Sequence, residues 1–512
     1  MNPSAHAASP ALPGARATPR PCGEWPRFTR GLIAIAVTAT LTGCMVGPDY
    51  RRPALDVPGA YRTEVTPAAA VSLGDLPWWE VFQDPVLQDL IKQALANNLD
   101  LKQAMARVEQ ARAQVQVVGS PLFPQIGYGG GINRQSSPKV STNKIEDITY
   151  TDYAGSVNLS WEIDLWGKVR RATEAARSEL LATEEFQRGV TISLLAEVAS
   201  TYFQLLDADR ELEIARETVK LYTKTLELFR ERYTGGASGL LPVNRAAAQL
   251  ANAAANVPQF ERQVATLENR LSVLLGRAPG PIPRGAKLDA HKIAPVIPAG
   301  LPSQLLERRP DVKASEEILI AENAKVGVAQ ANFFPSLNLT GLFGGQHSSV
   351  SSVLSGSTSL WSLGAGLVGP IFTGGALTGE LQAQEARWKR AQLSYEQTYL
   401  NALAEVADAL EGRQQLQKVR EFREIAVREL ASSVDISLDR YLLGLASYFE
   451  VLQVEEQLYS TQLELAQTQA AQLTNVVQLY RALGGGWQHT PAEAFSPEVQ
   501  TSTPPPAKPA PN

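Results

Sequence analysis

Sulfur and imidazole are almost missing from this chain. Its 512 residues hold two cysteines (Cys22 and Cys44), three methionines and four histidines. The histidines, His6, His291, His347 and His489, are scattered, so no metal site can be read from spacing. Three methionines are too few for a lumen tuned to soft metals. Lysine and arginine (47) are outnumbered by aspartate and glutamate (52), giving a net charge of −5 without basic clusters. That excludes a nucleic-acid partner. No nucleophile–base arrangement and no phosphate loop appears. The chain is therefore read as no enzyme, with no cofactor beyond a covalent lipid on Cys44.

A long apolar run is missing too. The most apolar segment near the start, Gly31–Leu41, is too short to span a membrane and has the length of a signal-peptide core. Arg16, Arg20, Arg27 and Arg30 precede it, and Leu41-Thr42-Gly43-Cys44 follows. That ending resembles a bacterial lipobox, in which the cysteine is acylated and becomes the first residue; a signal-peptidase site with an incidental cysteine is the alternative. Met45 follows the cysteine where aspartate would favour inner-membrane retention, so the outer membrane is expected. Removing residues 1–43 takes away four arginines and one glutamate, moving the net charge from −5 to −8; with Cys22 cleaved away and Cys44 acylated, no free thiol would remain.

What is present is a duplication. Arg232-Tyr233-Thr234-Gly235-Gly236 recurs 208 residues later as Arg440-Tyr441-Leu442-Leu443-Gly444. Gln249-Leu250 and Leu275-Gly276 recur at the same offset. A repeat this long is a duplicated subdomain and not a solenoid unit. The division expected is a signal peptide (1–43), an extended arm (44–85), a first repeat (86–278), a proline-rich link (279–302), a second repeat (303–487) and a disordered tail (488–512).

Each repeat reads as a strand pair followed by a very long helical hairpin. Gln125–Asn133 alternates, a polar stretch covers about 134–152, and Val157–Leu165 alternates strictly with Ser156–Asp164. Ten alternating residues match a membrane β-strand with one apolar and one wet face. The second repeat offers 336–340 and 361–371 in the same way. Lys168–Tyr233 and Glu380–Leu443 contain no proline and one glycine each, and at 1.5 Å per residue each reaches roughly 95–100 Å. Return helices are expected at about 243–275, kinked or interrupted by Pro258, and at 447–483.

Four strands cannot close a membrane barrel, because unpaired edges in lipid are costly. Three chains would supply twelve strands and twelve helices. The fold class expected is therefore an α+β membrane protein whose strand pairs and long helices demand an oligomer.

The residues that then stand out are Cys44–Pro53 (CMVGPDYRRP), Trp161–Lys168 (WEIDLWGK), Glu307–Asp311 (ERRPD), Ala331–Pro335 (ANFFP) and Leu479–Trp487 (LYRALGGGW). Across nearly the whole mature chain these resemble the TolC-like outer-membrane factors, lipoprotein branch of resistance-nodulation-division (RND) efflux systems. The resemblance implies a homotrimer forming a 12-stranded β-barrel and a 12-helix periplasmic α-barrel, an outer-membrane channel that conducts substrates passively. It also implies an inward-bent second-repeat tip that closes the periplasmic end, and a periplasmic adaptor protein and an inner-membrane RND pump as partners.

That tip is Asp439–Gln453. The family's two acidic rings fall on Glu450 and Gln453, so one ring is kept and one is an amide; crowded like charge would raise the Glu450 pKa and favour cations. An ordinary solvated glutamate is the alternative. Tyr441 matches a latch tyrosine, while the latch arginine falls on Ala446. Arg440 or Asp439 is the candidate replacement, a plain surface pair the alternative. Gly235, Gly236, Gly239 and Gly444 allow positive φ in the two tip turns. These glycines and Ser447 mark the expected adaptor contacts.

Two patterns imitate enzymes. Glu162 and Asp164 share one strand face at a spacing open to a glycosidase pair, against a wet barrel rim. Gly364–Gly369 fits G-x-G-x-x-G, but Pro370 follows inside a strand pattern where a dinucleotide loop needs a helix. The competing functions are an exit duct for type I protein secretion, with the same fold, and a lipid-anchored periplasmic coiled-coil scaffold without a pore.

Overall fold

The computed structural model of this chain describes residues 45–61, 73–141, 144–291, 302, 305–356 and 358–485. The leader, Cys44, most of the link and the tail after 485 lie outside the described residues.

The arm lies on the body, held by ion pairs and by glycine. Arg52 donates two bonds of 2.6 Å to Glu316, and Tyr50 adds a third at 3.0 Å. Buried Arg171 reaches the carbonyls of Val46 and Gly47 and the Asp49 carboxylate. Gly47 has φ +113°, and a Cβ there would stand 2.4 Å from the Gly327 Cα, so backbone meets backbone at this point. Within the arm expected to be extended over 44–85, a short helix, α1 (Trp78–Val81), departs from that expectation and buries Trp78.

Helices α2 (Pro85–Asn97) and α3 (Leu99–Gly119) precede the first strand, with a break between them. Asn98 makes the break. Its side chain caps α3 by accepting from the Leu101 N–H and donates to the Leu274 carbonyl. The break thus ties the first helices to the far end of the repeat.

Strands β1 (Gln125–Ser141) and β2 (Lys144–Ile163) form the first hairpin. After helices α6 (Leu305–Arg308) and α7 (Pro310–Ala331), β3 (Ser336–His347) and β4 (Ser359–Val368) form the second. The short helix α8 (Val350–Leu354) sits between them. All four make one antiparallel sheet in sequence order, with β2 paired to β3 across the repeats, Trp161 opposite Leu339. The first hairpin is longer than expected. The polar stretch 134–152 continues the ladder, Lys139 opposite Glu146 and Gln135 opposite Tyr150. Polarity on both faces hides a period of two, yet the backbone pairs all the same. β1 and β4 are open edges, and Tyr128, Ile132, Trp361 and Leu363 are strongly exposed.

The long helices are matched in length. α4 (Lys168–Thr234) and α9 (Ala376–Leu442) each have 67 residues, and the return helices α5 (Leu240–Leu274) and α10 (Tyr448–Ala482) each have 35. Pro258 lies inside α5 without interrupting it. One stretch of α4 is apolar enough to cross a membrane, but 61% of it is buried, so its apolarity serves packing. Leu195, Val198, Tyr202 and Leu205 of α4 join Leu87 and Ile91 of α2, Tyr395 and Tyr399 of α9 and Leu479 of α10 in the main core. That core fixes the upper halves of both hairpins to each other. Below it α10 packs on α4, and the two tips form a separate small cluster.

Candidate functional site

The long helices end at the two tips in the same way. At the first, Gly236 N–H donates to the Tyr233 carbonyl and Ala237 N–H to the Arg232 carbonyl. At the second, Gly444 donates to Tyr441 and Leu445 to Arg440. This is the six-to-one and five-to-two pairing that ends a helix on a left-handed residue. Gly236 (φ +72°) and Gly444 (φ +75°) fill that place. Gly235 (φ −77°) and Gly239 (φ −79°) do not, so each tip uses the glycine freedom at one position. Gly239 precedes α5, where Ser447 precedes α10; the Ser447 Oγ accepts from the Glu450 N–H and caps α10. All five positions are exposed. Around them Tyr233, Leu241, Leu443, Leu445 and Phe449 also face outward.

The second tip is fastened to the first by residues of the first repeat. Tyr441 is 7% exposed and packs on Phe229 with ring centres 5.0 Å apart. The Arg232 guanidinium lies over the same ring, 4.8 Å from its centre. Arg232 Nη1 also approaches the Leu442 carbonyl at 3.3 Å, at the end of α9 where helix carbonyls lack partners. Gln249 of α5 donates to the Leu452 carbonyl, and Asn256 to the Tyr459 hydroxyl.

The replacement expected for the missing latch arginine takes another form. Arg440 stays within its own hairpin, 3.6 Å from Glu450 and 3.5 Å from the Leu445 carbonyl. Asp439 is exposed, and its carboxylate has no partner among the described residues. Gln453 is exposed as well. Glu450 therefore carries its own counter-charge, which weakens the like-charge crowding expected there.

Asp164 is also corrected. β2 ends at Ile163, and Asp164 accepts from the N–H groups of Val169 and Arg170 at the start of α4. It is a helix cap and no partner of Glu162. Gly364–Val368 lies in β4, as a strand residue run and not a nucleotide loop. Among the described residues no three histidine, cysteine or acidic side chains gather as a metal would need.

Acids buried between α4 and α10 escaped the sequence reading. Thr225 donates to Glu455 at 2.6 Å, and Gln467 to Glu211 at 2.8 Å. Burial pushes Glu455 up to about 7, against the opposing Thr225 bond. Burial, then the neighbouring Glu211, pushes Asp207 up to about 7. A signal existed: Glu455 falls on the buried stripe of Val451, Leu452 and Leu458, and Glu211 on that of Ala208, Ile214 and Ala215.

The model of the outer membrane efflux protein family matches residues 90–277 and 301–485, once in each repeat. "Cation efflux system protein CusC" of Escherichia coli O6:H1 is 34% identical over 465 residues, 89% of this chain and 99% of that protein. "Probable outer membrane lipoprotein SilC" of Salmonella typhimurium is 32% identical over 465 residues, 90% of this chain and 99% of that protein. A crystal structure of CusC superposes with a TM-score of 0.76 at 31% identity, covering 86% of this chain and all of that one.

Proposed function

This chain belongs to the outer membrane efflux protein family, and on that premise we propose that three copies form the exit duct of a tripartite pump, closed at its periplasmic tip by the α9–α10 hairpin. The chain is an outer-membrane efflux channel and no enzyme. The observation that carries the trimer is the four-stranded sheet with two open edges above two matched helical hairpins. Only further strands close such a sheet in lipid, and three copies bring twelve.

The gate is the contact of Tyr441 with Phe229 and Arg232, supported by the Arg440–Glu450 pair. Release moves α10 away from α4 while the main core above stays fixed. A periplasmic adaptor reads the exposed apolar side chains at both tips, and an inner-membrane RND pump supplies the energy and selects the cargo. The relatives named for cation efflux favour this pump over a type I secretion partner. The lipid sits on Cys44, in keeping with a relative named as a lipoprotein. Met45 lies against Gly167 and Val46 donates to the Trp166 carbonyl, so the arm starts at the base of the sheet.

Single-channel conductance of purified protein in a planar bilayer tests this. Small cation-preferring pores that lose selectivity in Glu450→Gln support the duct and its acidic mouth. No pores from wild type or from Tyr441→Ala would favour the poreless scaffold. Mass spectrometry of the mature N-terminus tests the acyl group.

A further inference from the structure

The seam between α4 and α10 is the contact that must part if the second tip moves. From the Thr225–Glu455 bond to the Glu211–Gln467 bond the seam runs fourteen residues along α4 and twelve along α10. That is about 20 Å of matched antiparallel register. Glu455 is 2% exposed, and its second oxygen, Oε2, has no hydrogen-bond partner.

The groups around Glu455 offer no counter-charge. α4 presents Thr225 and buried Tyr222. α5 presents the uncharged Gln249 and Asn256, which hold Leu452 and Tyr459 of α10. α10 itself adds Glu456, exposed, and Tyr459. On α9 the hairpin register brings buried Val434 and Ser437 to this depth, with Asp435 turned to solvent. Higher on the seam stand two more acids, Asp207 and Glu211. A buried carboxylate without a cation is tolerated only when neutral.

We propose that Glu455 is a proton-operated latch, which holds α10 against α4 when protonated and drives the seam apart when ionised. Val451 and Leu452, one turn nearer the tip, lie in the same small cluster as Tyr441 and Phe229, so parting at Glu455 loosens the tip itself. The proposal rests on the reading of the α9–α10 hairpin as the moving gate. In an opened seam Glu455 meets water and titrates near its ordinary 4.5, whereas the closed seam keeps the proton to about 7. The closed form binds more protons and is therefore favoured most at low pH. It loses ground by roughly tenfold per pH unit between these two values and no further above them.

The test is open probability in planar bilayers from about pH 4.5 to 8.5. It is paired with spin-label distances between Ala237→Cys and Leu443→Cys at the two tips. Wild type is expected to open and its tips to separate as pH rises toward 7, then to level off. Glu455→Gln, neutral and of the same shape, stays closed and flat. A flat wild-type profile, or a step that survives in Glu455→Gln, overturns the latch. Pores without a pH step sink the latch and leave the channel. A pH-dependent distance without pores at any pH sinks the channel reading and leaves the latch. If Glu455→Gln does not fold, Thr225→Val serves: losing the donor moves the midpoint to higher pH, and an unmoved midpoint refutes the role of Glu455.

Discussion

The Arg232 guanidinium lies 4.8 Å from the centre of the Tyr441 ring, and its Nη1 reaches the Leu442 carbonyl. One side chain of the first repeat thus covers an aromatic face and the bare end of a helix in the second. Arg232→Ala removes both. A cation on an aromatic face contributes about 0.5–2 kcal/mol, and a cation at a helix C-terminus about 0.3–1 kcal/mol. A combined loss of about 1–2 kcal/mol raises the open-to-closed ratio by roughly five- to thirty-fold. Single-channel recording of wild type and variant reads this directly; an unchanged ratio would remove Arg232 from the gate.

Tyr441 separates ring from hydroxyl. Its hydroxyl has no hydrogen-bond partner among the described residues, while its ring packs on Phe229. Tyr441→Phe is therefore expected to gate as wild type does, within about 0.5 kcal/mol. Tyr441→Ala loses the aromatic pair, the cation contact and the buried ring, about 3 kcal/mol in all. It should conduct without an adaptor. A leaky Tyr441→Phe would mean that the hydroxyl, not the ring, closes the tip.

How much of this was legible follows from the range of each interaction. The long helices could be read because Lys168–Tyr233 keeps one apolar stripe with a single glycine, and α4 ends one residue beyond that span. The turns could be read because Gly236 and Gly444 stand where only glycine is free of strain. The extra length of β1 and β2 could not, since strand pairing through residues such as Ser136 and Thr149 leaves no apolar alternation. The Arg232 contact spans 209 residues to Tyr441 and the Thr225 contact 230 residues to Glu455. No local pattern names such partners. What the sequence did carry was an acid on an apolar stripe, a polar group whose burial demands a partner or a proton.

Arg309 holds three elements together at the top of the hairpins. It pairs with Asp311 through two nitrogens, with Glu405 of α9 at 2.8 Å and with the Ala482 carbonyl at the end of α10. It is buried, whereas Asp311 and Glu405 are half-exposed. Arg309→Ala is expected to cost about 3 kcal/mol, the lower part of the range for breaking a buried pair, because water can reach both stranded carboxylates. Arg309→Lys keeps the charge but loses the fork and should fall between. Thermal unfolding of the purified protein measures both; equal melting points for Lys and Ala would assign the stabilisation to geometry and not to charge.

Three glycines share one backbone conformation and differ in what surrounds them, so alanine should grade them. Gly276 (φ +68°) ends α5, and a Cβ there would stand 2.5 Å from the Asn97 carbonyl oxygen. Gly484 (φ +73°) is its counterpart in the second repeat, where the nearest atoms, in Arg308, are at 3.1 Å. Gly236 (φ +72°) meets nothing within 4 Å. Each substitution carries the left-handed strain of about 1–2 kcal/mol. Gly276→Ala adds an overlap with backbone that cannot swing aside, about 1–3 kcal/mol more. The order of melting temperatures is therefore expected to be Gly236→Ala highest, Gly484→Ala next and Gly276→Ala lowest. Equal losses at all three would show that conformation alone, and not the seating of Asn97 against the end of α5, decides these positions.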